Sequence, residues 1–141
     1  MFSTSHLHPM LVHFPIALVA IGFLAEVVSI FVKKEAALSK ISFYLLLTGT
    51  FFACCTWLSG ILFTSEMSGT AGEVKQTHQL FAGLSMALLL LTSGLRLLQV
   101  RYADNLILAR FSLFTYTLAS IGIAITGFYG GTLVYNYMMP L

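Results

Sequence analysis

MLVHFPIALVAIGFLAEVVSIFV, residues 10–32, carries one acidic residue, Glu26, and no basic residue. A helix needs about 20 apolar residues to cross the hydrocarbon core of a bilayer, so this run reads as a membrane span. Three further runs have the same character: Ile41 to Phe63, His78 to Leu98, and Leu106 to about Gly130. They are continuously apolar rather than alternating. In hydrocarbon the backbone must satisfy its own hydrogen bonds, so they predict helices and not barrel strands. The expected fold is all-α, an integral membrane four-helix bundle.

The whole chain agrees with that first run. Its 141 residues are 58% hydrophobic and only 9% charged, with a mean hydropathy of +0.92, well outside the range of soluble domains. The predicted connections, Lys33 to Lys40, Thr64 to Thr77 and Gln99 to Asn105, are short. They leave no room for a second, water-soluble unit, and residues 1–141 read as one domain.

Charge placement predicts the orientation. Lys33, Lys34, Lys40, Arg96, Arg101 and Arg110 fall on the side reached at the end of the first span, and only Lys75 falls opposite. By the positive-inside rule the basic side is cytoplasmic, which puts both termini and the Thr64 to Thr77 loop on the periplasmic or exterior side. Residues 1–8 hold no Lys or Arg, which argues against a cleaved signal peptide. The net charge of +2 follows from this topology and gives no reason to expect nucleic acid as a partner; the expected partner is the lipid bilayer.

Threaded this way, all four histidines come to one side of the membrane. His6 and His8 lie just outside the first span, His13 about one turn inside it, and His78 opens the third. Pro9 suits a first helical turn, whereas Pro15 removes the hydrogen bond to Leu11 and should kink or loosen the helix. A neighbouring helix must then re-satisfy the freed carbonyl.

Each predicted helix also offers a face of small or polar residues. These are His13, Ala17 and Ala20 on the first; Gly49, Ala53, Thr56 and Gly60 on the second; His78, Ala82, Ser85, Leu89, Thr92 and Arg96 on the third; and Thr115, Ala119, Gly122, Thr126 and Gly130 on the fourth. Close helix packing alone accounts for such stripes. A flat macrocycle in the bundle would need the same small residues, together with two histidines at similar depth on different helices. His13 and His78 match that description as axial ligands of a b-type haem, with His8 tuning or replacing one of them. No CxxCH motif occurs, so covalent c-type haem is excluded.

Three functional readings therefore stand together. One is an electron-transfer subunit binding haem b. Another keeps the histidines as a copper or zinc site, or as hydrogen-bond donors to a quinone. The last is a non-catalytic helical subunit packed against larger membrane partners, with the Tyr135 to Leu141 tail as a docking surface. Glu26 and Arg96, charges within the spans, are expected to pair with each other for structural reasons. Cys54 and Cys55 read as small packing residues, and Trp57 as part of the interfacial aromatic belt. No phosphate-binding glycine loop, nucleophile beside a base, or carboxylate pair is present, so the residues name no enzyme class.

The run HPMLVHFPIAL (His8 to Leu18), the histidine at the third helix and the ending GGTLVY (Gly130 to Tyr135) resemble the bacterial membrane family called domain of unknown function 2231. That resemblance covers nearly the whole chain. It implies four membrane helices in the bacterial inner membrane, and an association with c-type cytochrome or Rieske iron–sulfur partners. Matched by position, His8, His13 and His78 correspond to the family's histidines, and Gly130 and Gly131 to its paired glycines. Where relatives often place a histidine before those glycines, this chain has Phe128 and Tyr129. A fourth ligand from the last helix, and with it a second bis-histidine haem, is left without support.

Overall fold

The computed structural model describes residues 7–32 and 36–138; His6, Lys33, Lys34 and the end of the tail lie outside them. The helices are α1 (Leu7–Leu11), α2 (His13–Phe31), α3 (Ala36–Phe63), α4 (Gly69–Arg101) and α5 (Leu106–Leu133), followed by one wide turn, Val134–Met138. No strand occurs among the described residues. Four helical stretches are long and apolar enough to cross a membrane: His8–Phe31, Ala37–Phe63, Gly69–Arg101 and Leu106–Tyr137.

The effect of Pro15 is local. α1 and α2 meet at Val12, whose backbone stays right-handed helical at φ −60° and ψ −25°. Val12 N–H still donates to His8 O at 3.2 Å, and Ile16 N–H reaches Val12 O at 3.5 Å. Leu11 O, which Pro15 cannot serve, instead accepts the Thr56 hydroxyl of α3 at 3.3 Å. The helix is loosened and then repaired from its neighbour.

α4 begins nine residues before the predicted span, adding about 13 Å of helix. The polar segment Gly69 to Thr77 is helical because Lys75, although 7% exposed, is satisfied by the preceding loop. Its ammonium donates to Ser65 O at 2.9 Å and pairs with Glu66 at 3.6 Å. Gly69 starts the helix with φ +63°, a conformation that favours glycine. His78 thus lies more than two turns inside the helix rather than at its start.

The bundle is polar inside and apolar outside. Ser42, Thr50, Thr56, Ser85, Thr92, Ser93, Ser112 and Thr115 are buried, while Leu24, Phe51, Leu84, Phe114 and Ile121 are exposed. That is the distribution expected when lipid, not water, is the outer solvent. Buried hydroxyls bond across helices, Thr50 to Ser93 at 2.9 Å and Thr92 to Thr115 at 2.9 Å. Others return to their own backbone, as Ser85 does to Phe81 O at 2.6 Å.

The predicted stripes of α3, α4 and α5 face inward. That of the first span does not. His13, Ala17 and Ala20 are exposed, and Pro15, Val19, Gly22 and Glu26 are buried. The reason is the charge: Glu26 must turn inward to meet Arg96, and its helical row carries Gly22, Val19 and Pro15 with it.

The corrected rows expose a repeat. The buried positions Val19, Glu26, Ser42 and Leu46 recur 70 residues later as the buried Leu89, Arg96, Ser112 and Tyr116. The chain is two helical hairpins in parallel, α1–α3 and α4–α5, each packed more extensively within itself than against the other. Equivalent residues that touch one another must straddle the axis relating the halves. His8 with His78 and Glu26 with Arg96 are such pairs, one at each end of the bundle.

Candidate functional site

The first pair is His8 and His78. His8 lies in α1 and His78 in α4, with ring centroids 6.3 Å apart and planes at 87°. Each ring is fixed the same way. His8 Nδ1 donates to Thr56 O at 3.1 Å, and His78 Nδ1 donates to Thr126 O at 3.0 Å; in both, the acceptor lies 48 residues further along the chain. A carbonyl only accepts, so Nδ1 carries the proton in both rings, and Nε2 of the neutral imidazole holds a lone pair. Ser59 supports the His8 anchor: its hydroxyl donates to Thr56 O at 2.7 Å and lies 3.0 Å from His8 Nδ1.

Each ring rests on a glycine. A Cβ on Gly60 would come within 3.0 Å of His8 Cε1, and one on Gly130 within 3.1 Å of His78 Cε1. Both glycines follow the anchoring threonine by four residues, one helical turn. His8, Thr56 and Gly60 therefore form a unit that recurs as His78, Thr126 and Gly130, and these are among the few identical residues between the two halves. That 70-residue spacing is a sequence signal that hydropathy reading passes over.

The remaining candidates lie elsewhere. His13 is exposed, and its Nδ1 donates to Pro9 O at 2.9 Å on its own helix. The structure brings His78 together with His8 and leaves His13 on the outer face. His6 is outside the described residues. Cys54 and Cys55 are free thiols, half-buried within α3, and Trp57 is 40% exposed on the lipid-facing side. Among the described residues no group of three or more His, Cys, Asp or Glu is disposed to hold a metal ion.

The second pair on the axis is Glu26 and Arg96, ion-paired and both nearly buried. Arg96 Nη1 also points to Gln99 Oε1 at 3.4 Å. Beside them Tyr116, fully buried, donates its hydroxyl to Val19 O at 3.4 Å. An apolar layer of Val19, Leu46, Leu89 and Ala119 lies between this end and the histidines.

The profile of domain of unknown function 2231, described as a predicted membrane protein, matches residues 4–140. No curated protein and no solved structure matches the chain.

Proposed function

This chain belongs to the domain of unknown function 2231 family of predicted membrane proteins, and on that premise we propose that it is a membrane electron-transfer subunit holding a b-type haem between His8 and His78. One observation carries the reading. Two imidazoles from equivalent positions of two hairpins meet edge-on with centroids 6.3 Å apart, each anchored through Nδ1–H to a backbone carbonyl. Metal-binding histidines are held in this way, because the anchor fixes the tautomer, orients the ring and makes Nε2 a better donor.

The donor set also favours haem over a bare ion. A tetrahedral zinc site draws three or four ligands from the protein, whereas two histidines, His8 and His78, would suffice to hold a haem. Bound there, haem would supply one-electron chemistry at its iron. The protein's part is to orient and to exclude. Thr56 and Thr126 hold the rings, Gly60 and Gly130 admit them, and the apolar layer beneath separates them from the charged end. The excess of basic residues at that other end supports a periplasmic position for the histidines in a bacterial inner membrane, where a c-type cytochrome or Rieske-type partner would have access.

The test is the absorbance spectrum of detergent-purified protein from haem-replete cells, as isolated and after dithionite. The expected result is a shifting Soret band with sharp reduced α and β bands. His8→Ala and His78→Ala should each abolish or remodel them, and His13→Ala should leave them unchanged. A colourless protein, or bands indifferent to both His8 and His78, overturns the haem reading. Copper or zinc at about one per chain in the colourless protein would favour the metal site. A chain found only inside a larger assembly, indifferent to every histidine substitution, would favour the packing subunit.

A further inference from the structure

At the end away from the histidines, the start of α3 and the end of α4 diverge around a groove of about 450 Å³. Ser39, Lys40, Phe43, Tyr44, Arg96 and Gln99 line it. Two further facts give its direction. Tyr44 and Val100, on its walls, are 64% and 71% exposed, so it opens sideways, toward the space lipid occupies. It also lies at the level of Arg101 and Arg110, at the helix ends where headgroups begin. We propose that this groove binds the phosphate of one anionic phospholipid.

Charge decides the occupant. Glu26 neutralises Arg96, so the ion pair and the exposed Lys40 together leave one net positive charge, against the single negative charge of a phosphodiester. Arg96 has donors to spare. A guanidinium carries five N–H groups; Glu26 and Gln99 engage part of them, and Nε, a buried atom, has no acceptor among the described residues. Lys40 supplies a point charge at the rim, and the exposed Ile41, Leu97 and Val100 continue as an apolar surface for acyl chains. Basic pockets between membrane helices recognise acidic headgroups by these means.

The repeat sets this crossing apart from its equivalent. Seventy residues after Lys40 stands Arg110, and seventy before Arg96 stands Glu26. Among the described residues, the positions equivalent to Lys40 and Arg96 at the crossing of α5 and α2 carry Arg110 and Glu26, a cation and an acidic residue rather than two cations.

The experiment is native mass spectrometry of the full chain in detergent, titrated separately with phosphatidylglycerol, phosphatidylcholine and inorganic phosphate. The expected result is one retained phosphatidylglycerol per chain in clear preference to phosphatidylcholine. Lys40→Gln should weaken it by about fivefold, the share of one lysine at an anionic lipid surface, and Arg110→Gln should leave it unchanged. Lys40 is exposed, so its variant should fold, and an unaltered helical circular dichroism spectrum verifies this. Equal retention of both lipids overturns the proposal, as does an equal loss in the two variants, which would mean general charge attraction. Inorganic phosphate that displaces the lipid with the same Lys40 dependence would make the ligand free phosphate and overturn the lipid assignment.

Discussion

At one end of the bundle the two equivalent positions on the axis carry the same residue, His8 and His78; at the other they carry opposite ones, Glu26 and Arg96. The difference follows from charge. Two like charges on an axis in low dielectric would repel strongly, so a charged position can persist there only if the two halves diverge to opposite signs. A neutral imidazole faces no such demand. It can be duplicated, each copy satisfied by a carbonyl of its own hairpin. One end holds two opposite charges that neutralise each other, and the other holds two copies of one neutral ring.

The largest expected effect breaks the charged end. Arg96→Met leaves the Glu26 carboxylate buried without its partner, a loss of about 3–5 kcal/mol, which thermal unfolding in detergent would read as a markedly lowered Tm. Exchanging the pair, Glu26→Arg with Arg96→Glu, should recover most of that loss, since the positions are equivalent. A swap as damaging as the single change would show that the repeat does not extend to this end. At the histidine end, His8→Ala or His78→Ala removes one anchoring hydrogen bond and strands no charge, so each should cost only about 1 kcal/mol.

The next effect sharpens the equivalence at the histidine end. Gly60→Ala and Gly130→Ala would each press a methyl group against a ring, at 3.0 and 3.1 Å. Such overpacking costs about 1–3 kcal/mol. If the halves are equivalent, the two losses should match and each should disturb the visible bands of the proposed haem. Gly94→Ala meets nothing within 4 Å and should gain up to about 1 kcal/mol from helix propensity. Unequal glycine effects would mean that one ring tolerates displacement that the other does not.

How far the sequence reveals this contrast depends on which force places each residue. Lipid enforces hydropathy along the whole chain, so four apolar runs suffice to read four helices. The inward rows of α3, α4 and α5 are legible because their small and hydroxylated residues contrast with Leu-rich outer faces. On α2 the same criterion selects His13, Ala17 and Ala20, which face outward, because a single ion pair outweighs residue size and rotates Glu26 inward. The start of α4 is hidden for the opposite reason. Gly69 to Thr77 looks like a loop by hydropathy, and it is helical because Ser65 O and the Glu66 carboxylate of the loop take up Lys75. Which histidines meet depends on Thr56 and Thr126, each 48 residues from its ring. Hydropathy says nothing at that range, but the 70-residue repeat does.

The smallest expected effects lie where the two halves differ in hydrogen bonding just below the rings. In the first half Pro15 withholds an N–H from Leu11 O, and the Thr56 hydroxyl crosses from α3 to supply it. In the second half Ser85 stands where Pro15 does, keeps its N–H, and adds its own hydroxyl to Phe81 O at 2.6 Å. Thr126, the equivalent of Thr56, is free to bond Gly122 O on its own helix at 2.8 Å. Thr56→Val should therefore cost about 1 kcal/mol by leaving a carbonyl without a donor, and Thr126→Val, whose target is already served by the helix, distinctly less. Pro15→Ala restores the missing N–H, so Thr56→Val in that background should lose most of its cost, a coupling that a double-mutant cycle measures. Additive effects of Pro15→Ala and Thr56→Val would mean that the hydroxyl serves something other than the gap the proline leaves.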